Sequence, residues 1–307
     1  MKICFVGVGS IAKRHIRNLR KIFPKDLVIT ALRSGKGKES DTEFSGLIDK
    51  IVLRHEELED SYDAIFITNP TSMHYDTLQD MLPYSDSFFI EKPVFDKVEL
   101  DVSVFTAINK VFYVACPLRY SNIIRYLKTN IDFSKVYSVR VICSSYLPEW
   151  RLDIDYRRTY SAHRNMGGGV DIDLIHEWDY IQYLIGFPKK VECFITKKSS
   201  LDIDSDDTAI YIGEYKDKTV ELHLDYFGRS NIRRIELISE DDTIVADLIE
   251  SKVTWLYNGK EMELKEDRDD YQLRELEHFF RITKKEICND NNVETACKVL
   301  KLARGIL

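Results

Sequence analysis

Ile3-Cys4-Phe5-Val6-Gly7-Val8-Gly9-Ser10-Ile11-Ala12 stands near the N-terminus and decides how the first part of the chain is read. Four apolar residues predict a strand buried on both faces. Gly7-Val8-Gly9 predicts a tight turn, and the amphipathic run 11–22 a helix. The pattern is G-x-G-x-x-A. Its glycines let a backbone approach a pyrophosphate, and the following helix offers N-terminal N–H groups and its dipole to negative charge. Glycines also cluster in turns that bind nothing. The placement between strand and helix is what makes this turn specific, so Gly7, Gly9, Ser10, Ile11 and Ala12 are the first expected cofactor contacts.

Working outward, apolar runs at 27–32, 64–68, 88–90 and 111–115 alternate with helical patterns at 74–82 and 100–108. Strand–helix alternation of this kind means βαβ units and a doubly wound parallel sheet. After Cys116-Pro117 the texture changes. A helix at 121–129 leads to period-two segments at 136–146, 191–196, 208–214, 220–226, 232–238 and 253–257, interrupted by a helix at 170–184. Such alternation with short turns predicts an open, mostly antiparallel sheet. Helices at 273–287 and 293–303 close the chain. The expected class is therefore an α/β Rossmann domain over 1–117 and an α+β domain over 118–307, with the terminal helices 271–307 packing back near the junction.

Ligands of a doubly wound sheet bind beyond the carboxyl ends of its strands. Residues 28–32 run into Arg33-Ser34, with Lys36 and Lys38 close behind, where an NAD-binding unit usually carries an acid. Arg33 and Ser34 suit a 2′-phosphate, so charge favours NADP(H), with NAD(H) the alternative. Thr68, Asn69, Pro70 and His74 form the next such loop, although His74 reads equally as an ordinary helix-start residue. Glu91-Lys92-Pro93 follows the strand at 88–90 and adds Glu91 and Lys92 to the cofactor contacts. A lysine held there can act as proton donor. A cis Lys92-Pro93 bond, a rare choice at ~5% of X–Pro bonds, is expected to aim it.

Gly167-Gly168-Gly169 precedes a helix on which Asp173 and His176, three apart, share a face. The carboxylate can then orient the imidazole. No spacing suggests a metal site, and no Ser nucleophile elbow or P-loop is present.

Hydrophobic residues make up 44% and charged residues 31% of the 307, with a net charge of −7 and both signs interspersed. Such a chain has material for a large core, and no basic stripe for nucleic acid. No apolar run reaches the ~18–20 residues of a membrane span. The apolar start, residues 1–7, is too short for a signal peptide, so the cytoplasm is the expected compartment. Six scattered cysteines read as buried reduced thiols.

Gly7 to Ala12, Glu91-Lys92-Pro93 and the loop-helix from Gly167 to Tyr180, in this order, resemble the glucose–fructose oxidoreductase/inositol dehydrogenase (Gfo/Idh/MocA) family. The stretches 146–151, 155–162 and 176–180 are similar to a bacterial subgroup associated with polysaccharide and nucleotide-sugar pathways. The resemblance implies hydride transfer between a nicotinamide cofactor and a hydroxyl or keto carbon of a sugar, cyclitol or nucleotide-sugar. It also implies Lys92 and His176 as the catalytic pair, and a homodimer or homotetramer through the C-terminal sheet. Many members carry an acid four residues before the histidine. Here that position is Ile172, and Asp173 is the nearest substitute. Arg119, Trp150, Arg151, Tyr156 and Arg157 are the expected substrate contacts. Two other readings stand beside this one: a redox-assisted hydrolase or epimerase that keeps its NAD, and a sensor that binds dinucleotide or sugar without chemistry.

Overall fold

Strands β1 (Lys2–Val6), β2 (Val28–Leu32), β3 (Lys50–Val52), β4 (Ala64–Ile67), β5 (Ser87–Ile90) and β6 (Val111–Val114) form one parallel sheet in the order β3-β2-β1-β4-β5-β6. This computed structural model describes residues 1–35 and 46–306. The strand order reverses between β1 and β4, which makes their carboxyl ends the switch point of a dinucleotide-binding sheet. The register sets Phe5 beside Phe66, Phe66 beside Phe89, and Phe89 beside Tyr113. Phe5–Phe66 and Phe66–Phe89 stack at centroid separations of 4.7 Å. Each such pair contributes about 0.5–1.5 kcal/mol beyond its buried area. Helices α1 (Ser10–Ile22) and α7 (Arg268–Thr283) pack on this row, and Phe279 meets Phe66 and Phe89 edge-on.

The chain divides into two compact units: Met1–Pro117 with Arg268–Cys297, and Leu118–Asp267 with the residues from Lys298 onward. Helix α7 thus belongs with the first unit rather than with residues 118–307, because Leu276, Phe279, Phe280 and Ile282 enter its core. The helix begins at Arg268 and ends at Thr283, just before Lys285 takes a left-handed φ of 60°. The three-residue β3 was too short to show a period. The helix expected at 100–108 is a single turn, α3 (Ser103–Thr106). The Asp101 carboxylate accepts from Ser103 N and starts it late, and Val102, Val104 and Thr106 are β-branched. Helix α2 (His74–Met81) follows β4.

In the second unit α4 (Asn122–Asn130) leads to an eight-stranded sheet. Its strands are β7 (Val136–Tyr146), β8 (Lys190–Thr196), β9 (Thr208–Glu214), β10 (Thr219–Asp225), β11 (Phe227–Ser239), β12 (Thr243–Asp247), β13 (Lys252–Trp255) and β14 (Glu261–Glu263). The order is β14-β13-β12-β11-β7-β10-β9-β8, and only β10 and β7 run parallel. The short strands β12 and β14 were not expected. One face is covered, with Trp178 edge-on to Tyr211 at 5.4 Å, and Tyr211 donating to Ala303 O at 2.5 Å. The opposite face exposes Phe194, Ile210 and Ile212. The helix expected over 170–184 is two, α5 (Val170–Asp173) and α6 (His176–Ile185). Helix α8 (Val293–Ala303) runs as expected. No described helix is long and apolar enough to cross a membrane. Cys4, Cys116 and Cys143 are buried, whereas Cys193 and Cys288 are exposed, so burial holds for only part of the set.

Candidate functional site

Three loops at the carboxyl edge of the parallel sheet are knitted together by main-chain bonds. Gly7 N donates to Leu32 O at 3.0 Å, Thr68 N to Val6 O at 3.0 Å, and the Thr68 hydroxyl to Gly7 O at 2.7 Å. Gly7 has a φ of 83°, and a Cβ there would stand 2.6 Å from Asn69 Cα, so no other residue fits. Gly9 is different. It is the extended N-cap of α1, and a Cβ built on it meets nothing within 4 Å. The helix start has no side-chain cap and no acid in its first turn. Bare N–H groups facing open space, with no competing carboxylate, suit a pyrophosphate. Arg33 and Ser34 leave β2 at the same edge, half-buried and exposed respectively. Lys36 and Lys38 lie outside the described residues.

Glu91 continues β5, its N–H bonded to Ile67 O at 3.0 Å, and the Lys92-Pro93 bond is cis as expected. His15 of α1, buried among the rings of Phe66 and Phe89, holds Glu91 Oε1 at 2.6 Å. Burial by itself would raise the Glu91 pKa. The His15 hydrogen bond and charge outweigh it, and with Lys92 and His74 leave the carboxyl below its ordinary value. His74 is a correction to the expected cofactor contacts. It is buried, and its ring nitrogens face Val94 O at 3.1 Å and Asn69 O at 3.0 Å. Burial lowers its pKa. His74 therefore braces the loops that carry Asn69 and Lys92 from below. His15 was missed, its only sequence signal being a place on the apolar face of α1 with Ala12, Ile16 and Leu19.

In the second unit the three glycines serve the chain itself. A Cβ on Gly168 would stand 2.1 Å from Tyr160 O, and Gly167 and Gly169 have φ values of 83° and 147°. They let residues 160–163 lie directly on the chain entering α5. The helix then breaks at Leu174-Ile175, so Asp173 and His176 do not lie on one continuous helix. Asp173 is buried, and its Oδ2 accepts the Tyr226 hydroxyl at 2.5 Å. Tyr160 bonds the same carboxylate. His176 opens α6, half-buried, beside Glu177, which is buried against Arg233 at 2.6 Å. Asp171 pairs with Arg304 at 2.7 Å; burial raises its pKa, and Arg304 only partly opposes this.

Arg119 is a second correction. It is buried and forks onto both Asp179 oxygens at 2.9 and 2.6 Å, which spends its guanidinium inside the fold. Arg157 remains exposed but is tied to Asp155 at 2.8 Å. Trp150, Arg151 and Tyr156 do come together. They line one cleft with Leu147, Ile154 and Thr159, and Tyr160 and Ser161, which had not been singled out, complete it. Among the described residues no group of three or more His, Cys, Asp or Glu is placed to hold a metal ion.

A glycine turn at the switch point of a doubly wound parallel sheet is the arrangement of a dinucleotide-binding domain. Residues 1–111 match the model of the Gfo/Idh/MocA oxidoreductase family, NAD-binding Rossmann fold. The uncharacterized oxidoreductase YrbE of Bacillus subtilis is 24% identical over 188 residues, 59% of this chain and 52% of its own; the match spans about half of that relative. The fold as a whole is like that of UDP-N-acetylglucosamine 3-dehydrogenase GnnA from Acidithiobacillus ferrooxidans (18% identity, TM-score 0.79, covering 100% of this chain and 96% of that one). It is also like the WlbA dehydrogenase from Bordetella pertussis in complex with NADH and UDP-GlcNAcA (14% identity, TM-score 0.78, 100% and 94%).

Proposed function

We propose that this protein moves a hydride between NADP(H) and a carbinol carbon of a sugar-like substrate, a nucleotide-sugar in the first instance. The observation that carries the reading is Gly9. It is the uncapped start of α1, open to space, with Gly7 locked against Asn69 and the Glu91-Lys92-Pro93 turn held at the same sheet edge. When bound, the nicotinamide accepts or supplies the hydride. Lys92 bonds the reacting oxygen, and His176 takes or returns its proton. Asp173, three residues before His176, is held by the Tyr226 hydroxyl. Trp150, Arg151 and Tyr156 hold the sugar. The nucleotide-sugar choice draws on the substrates named for GnnA and WlbA.

The test is turnover of UDP-N-acetylglucosamine, glucose and myo-inositol with NADP⁺ and NAD⁺. His176→Ala is expected to lose about 10²–10⁴-fold in kcat while binding NADPH as the parent does. Full turnover in that folded variant rejects His176. If Arg33 and Ser34 hold a 2′-phosphate, NADPH binds about ten- to hundredfold tighter than NADH, and Arg33→Asp reverses the order. Calorimetry giving equal affinities in the parent rejects the NADP(H) preference.

A further inference from the structure

The main chain around Lys92 is tied down on both sides by a buried imidazole. On the near side, His15 of α1 is 1% exposed and holds Glu91 Oε1 through Nε2 at 2.6 Å. A carboxylate only accepts, so the His15 N–H is the donor. The other oxygen, Glu91 Oε2, accepts from Lys92 N at 3.2 Å. One carboxylate therefore runs from the helix to the lysine's own amide. On the far side, His74 Nδ1 faces Val94 O at 3.1 Å and its Nε2 faces Asn69 O at 3.0 Å. Between them the Glu91 N–H bonds Ile67 O at 3.0 Å and fixes the end of β5.

The surroundings of His15 show what its ring is for. It meets Phe89 edge-on at 5.0 Å and Phe66 at 5.9 Å, alongside buried Ala12, Ile16 and Leu19. Among the described residues nothing bonds its Nδ1. Packing alone favours an aliphatic side chain there, since a buried nitrogen without a partner costs desolvation and gains no bond. What the imidazole adds is the Nε2 bond, which ends on the residue before Lys92. Helix α1 thus does two things. Its uncapped start offers N–H groups to a pyrophosphate, and further along it sets the Glu91–Lys92 main chain. We propose that His15 is a positioning residue for Lys92, so that the helix that receives the cofactor also fixes where the lysine meets the reacting oxygen. Reaction geometry tolerates little displacement: an error of about 1 Å can cost about 10²-fold in rate. The assignment rests on the dehydrogenase reading for the reaction, and on the geometry alone for the linkage.

His15→Leu keeps the bulk and loses the donor, whereas His15→Gln carries an amide N–H that can take the place of Nε2. Both full-length variants are assayed with NADP⁺ and UDP-N-acetylglucosamine, glucose or myo-inositol. Melting temperature and NADPH fluorescence titration monitor the fold. His15→Leu is expected to lower kcat about ten- to hundredfold at near-parental KM and NADPH affinity, and His15→Gln to recover most of the loss whatever the two melting temperatures are. On a Lys92→Ala background His15→Leu is expected to cost less than about threefold, because its effect passes through the lysine. Equal kcat losses in the Leu and Gln variants, a parental kcat in His15→Leu, or its full loss on the Lys92→Ala background overturns the proposal. If His15→Leu does not fold, Glu91→Asp, which keeps the charge and shortens the link, takes its place with the same expected loss. A parent inactive with all three compounds defeats the dehydrogenase reading instead. Labelling of Lys92 by pyridoxal 5′-phosphate and borohydride, read by peptide mass, then decides. A rate at Lys92 changed several-fold in His15→Leu and restored in His15→Gln sustains the positioning role, and an unchanged rate ends it.

Discussion

His15 and Glu91 are 76 positions apart in the chain and meet at 2.6 Å. That separation explains what could be read at the scale of single residues. Gly7 was legible because its reason is local, a turn between strand and helix, although the Asn69 backbone that enforces it was not visible. His15 and Arg119 were not legible, since a charge or imidazole is defined by a partner brought near only by folding. For Arg119 that partner is Asp179, and it turns an expected pocket residue into a buried brace. The His15–Glu91 pair has a consequence for acid stability. The Glu91 pKa lies below its ordinary value of 4.5 despite burial. A depressed carboxyl contributes stability above the unfolded-state pKa and loses it as pH falls through the folded one. Glu91→Gln is therefore expected to melt below the parent near neutral pH, with the gap closing below about pH 4.5. Thermal melts across that range check it, and a gap that persists in acid would mean that the Glu91 charge carries none of the effect.

Among elements, the regular ones were legible and the interrupted ones were not. The doubly wound alternation and the long period-two strands announce themselves because each face repeats its environment over many residues. The break between α5 and α6 has no such signature. Residues 170–185 keep a helical apolar pattern, while the chain turns at Leu174 and Asp173 is drawn to Tyr226. The two glycine loops looked alike in sequence and differ in what they meet. Gly9 faces open space with a φ of −100°, ordinary for any residue, whereas Gly168 lies against three carbonyl oxygens. Gly9→Ala is accordingly expected to leave stability within about 0.5 kcal/mol and to weaken NADPH binding, since its methyl enters the space above the start of α1. Gly168→Ala is expected to cost about 1–3 kcal/mol by overpacking and to loosen residues 160–163. Denaturant melts and NADPH titration separate the two. A Gly168→Ala protein as stable as the parent would contradict the packing drawn here.

At the largest scale, one face of the eight-stranded sheet carries the exposed side chains of Phe194, Ile210 and Ile212 among the described residues, and its cross-strand rows indicate what would fit. Register aligns Phe194 with Ile210, Ile210 with His223, His223 with Ile142, and Ile142 with Arg234. The next row runs Glu192, Ile212, Glu221, Arg140, Glu236. Apolar side chains are thus interleaved with both charge signs, and Arg140–Glu221 and Arg234–Glu236 lie within 3.3 and 3.2 Å. A patch holding both signs and an apolar centre can complement itself under a two-fold axis, which a patch of one sign cannot. Ile212, 57% exposed, and Phe194, 52% exposed, are the side chains with most to gain from a second copy. A stable contact of this kind needs about 800 Å² from each partner, an area that five or more strands can supply. Light scattering is expected to give a dimer or tetramer, and Ile212→Arg to give a monomer, because a guanidinium in place of an exposed apolar side chain would have to be desolvated at the contact. NADPH affinity should survive in that monomer, since the glycine turn and its Asn69 support lie in the other unit. A parent that stays monomeric at micromolar concentration, or an Ile212→Arg protein that still assembles, would place the association elsewhere.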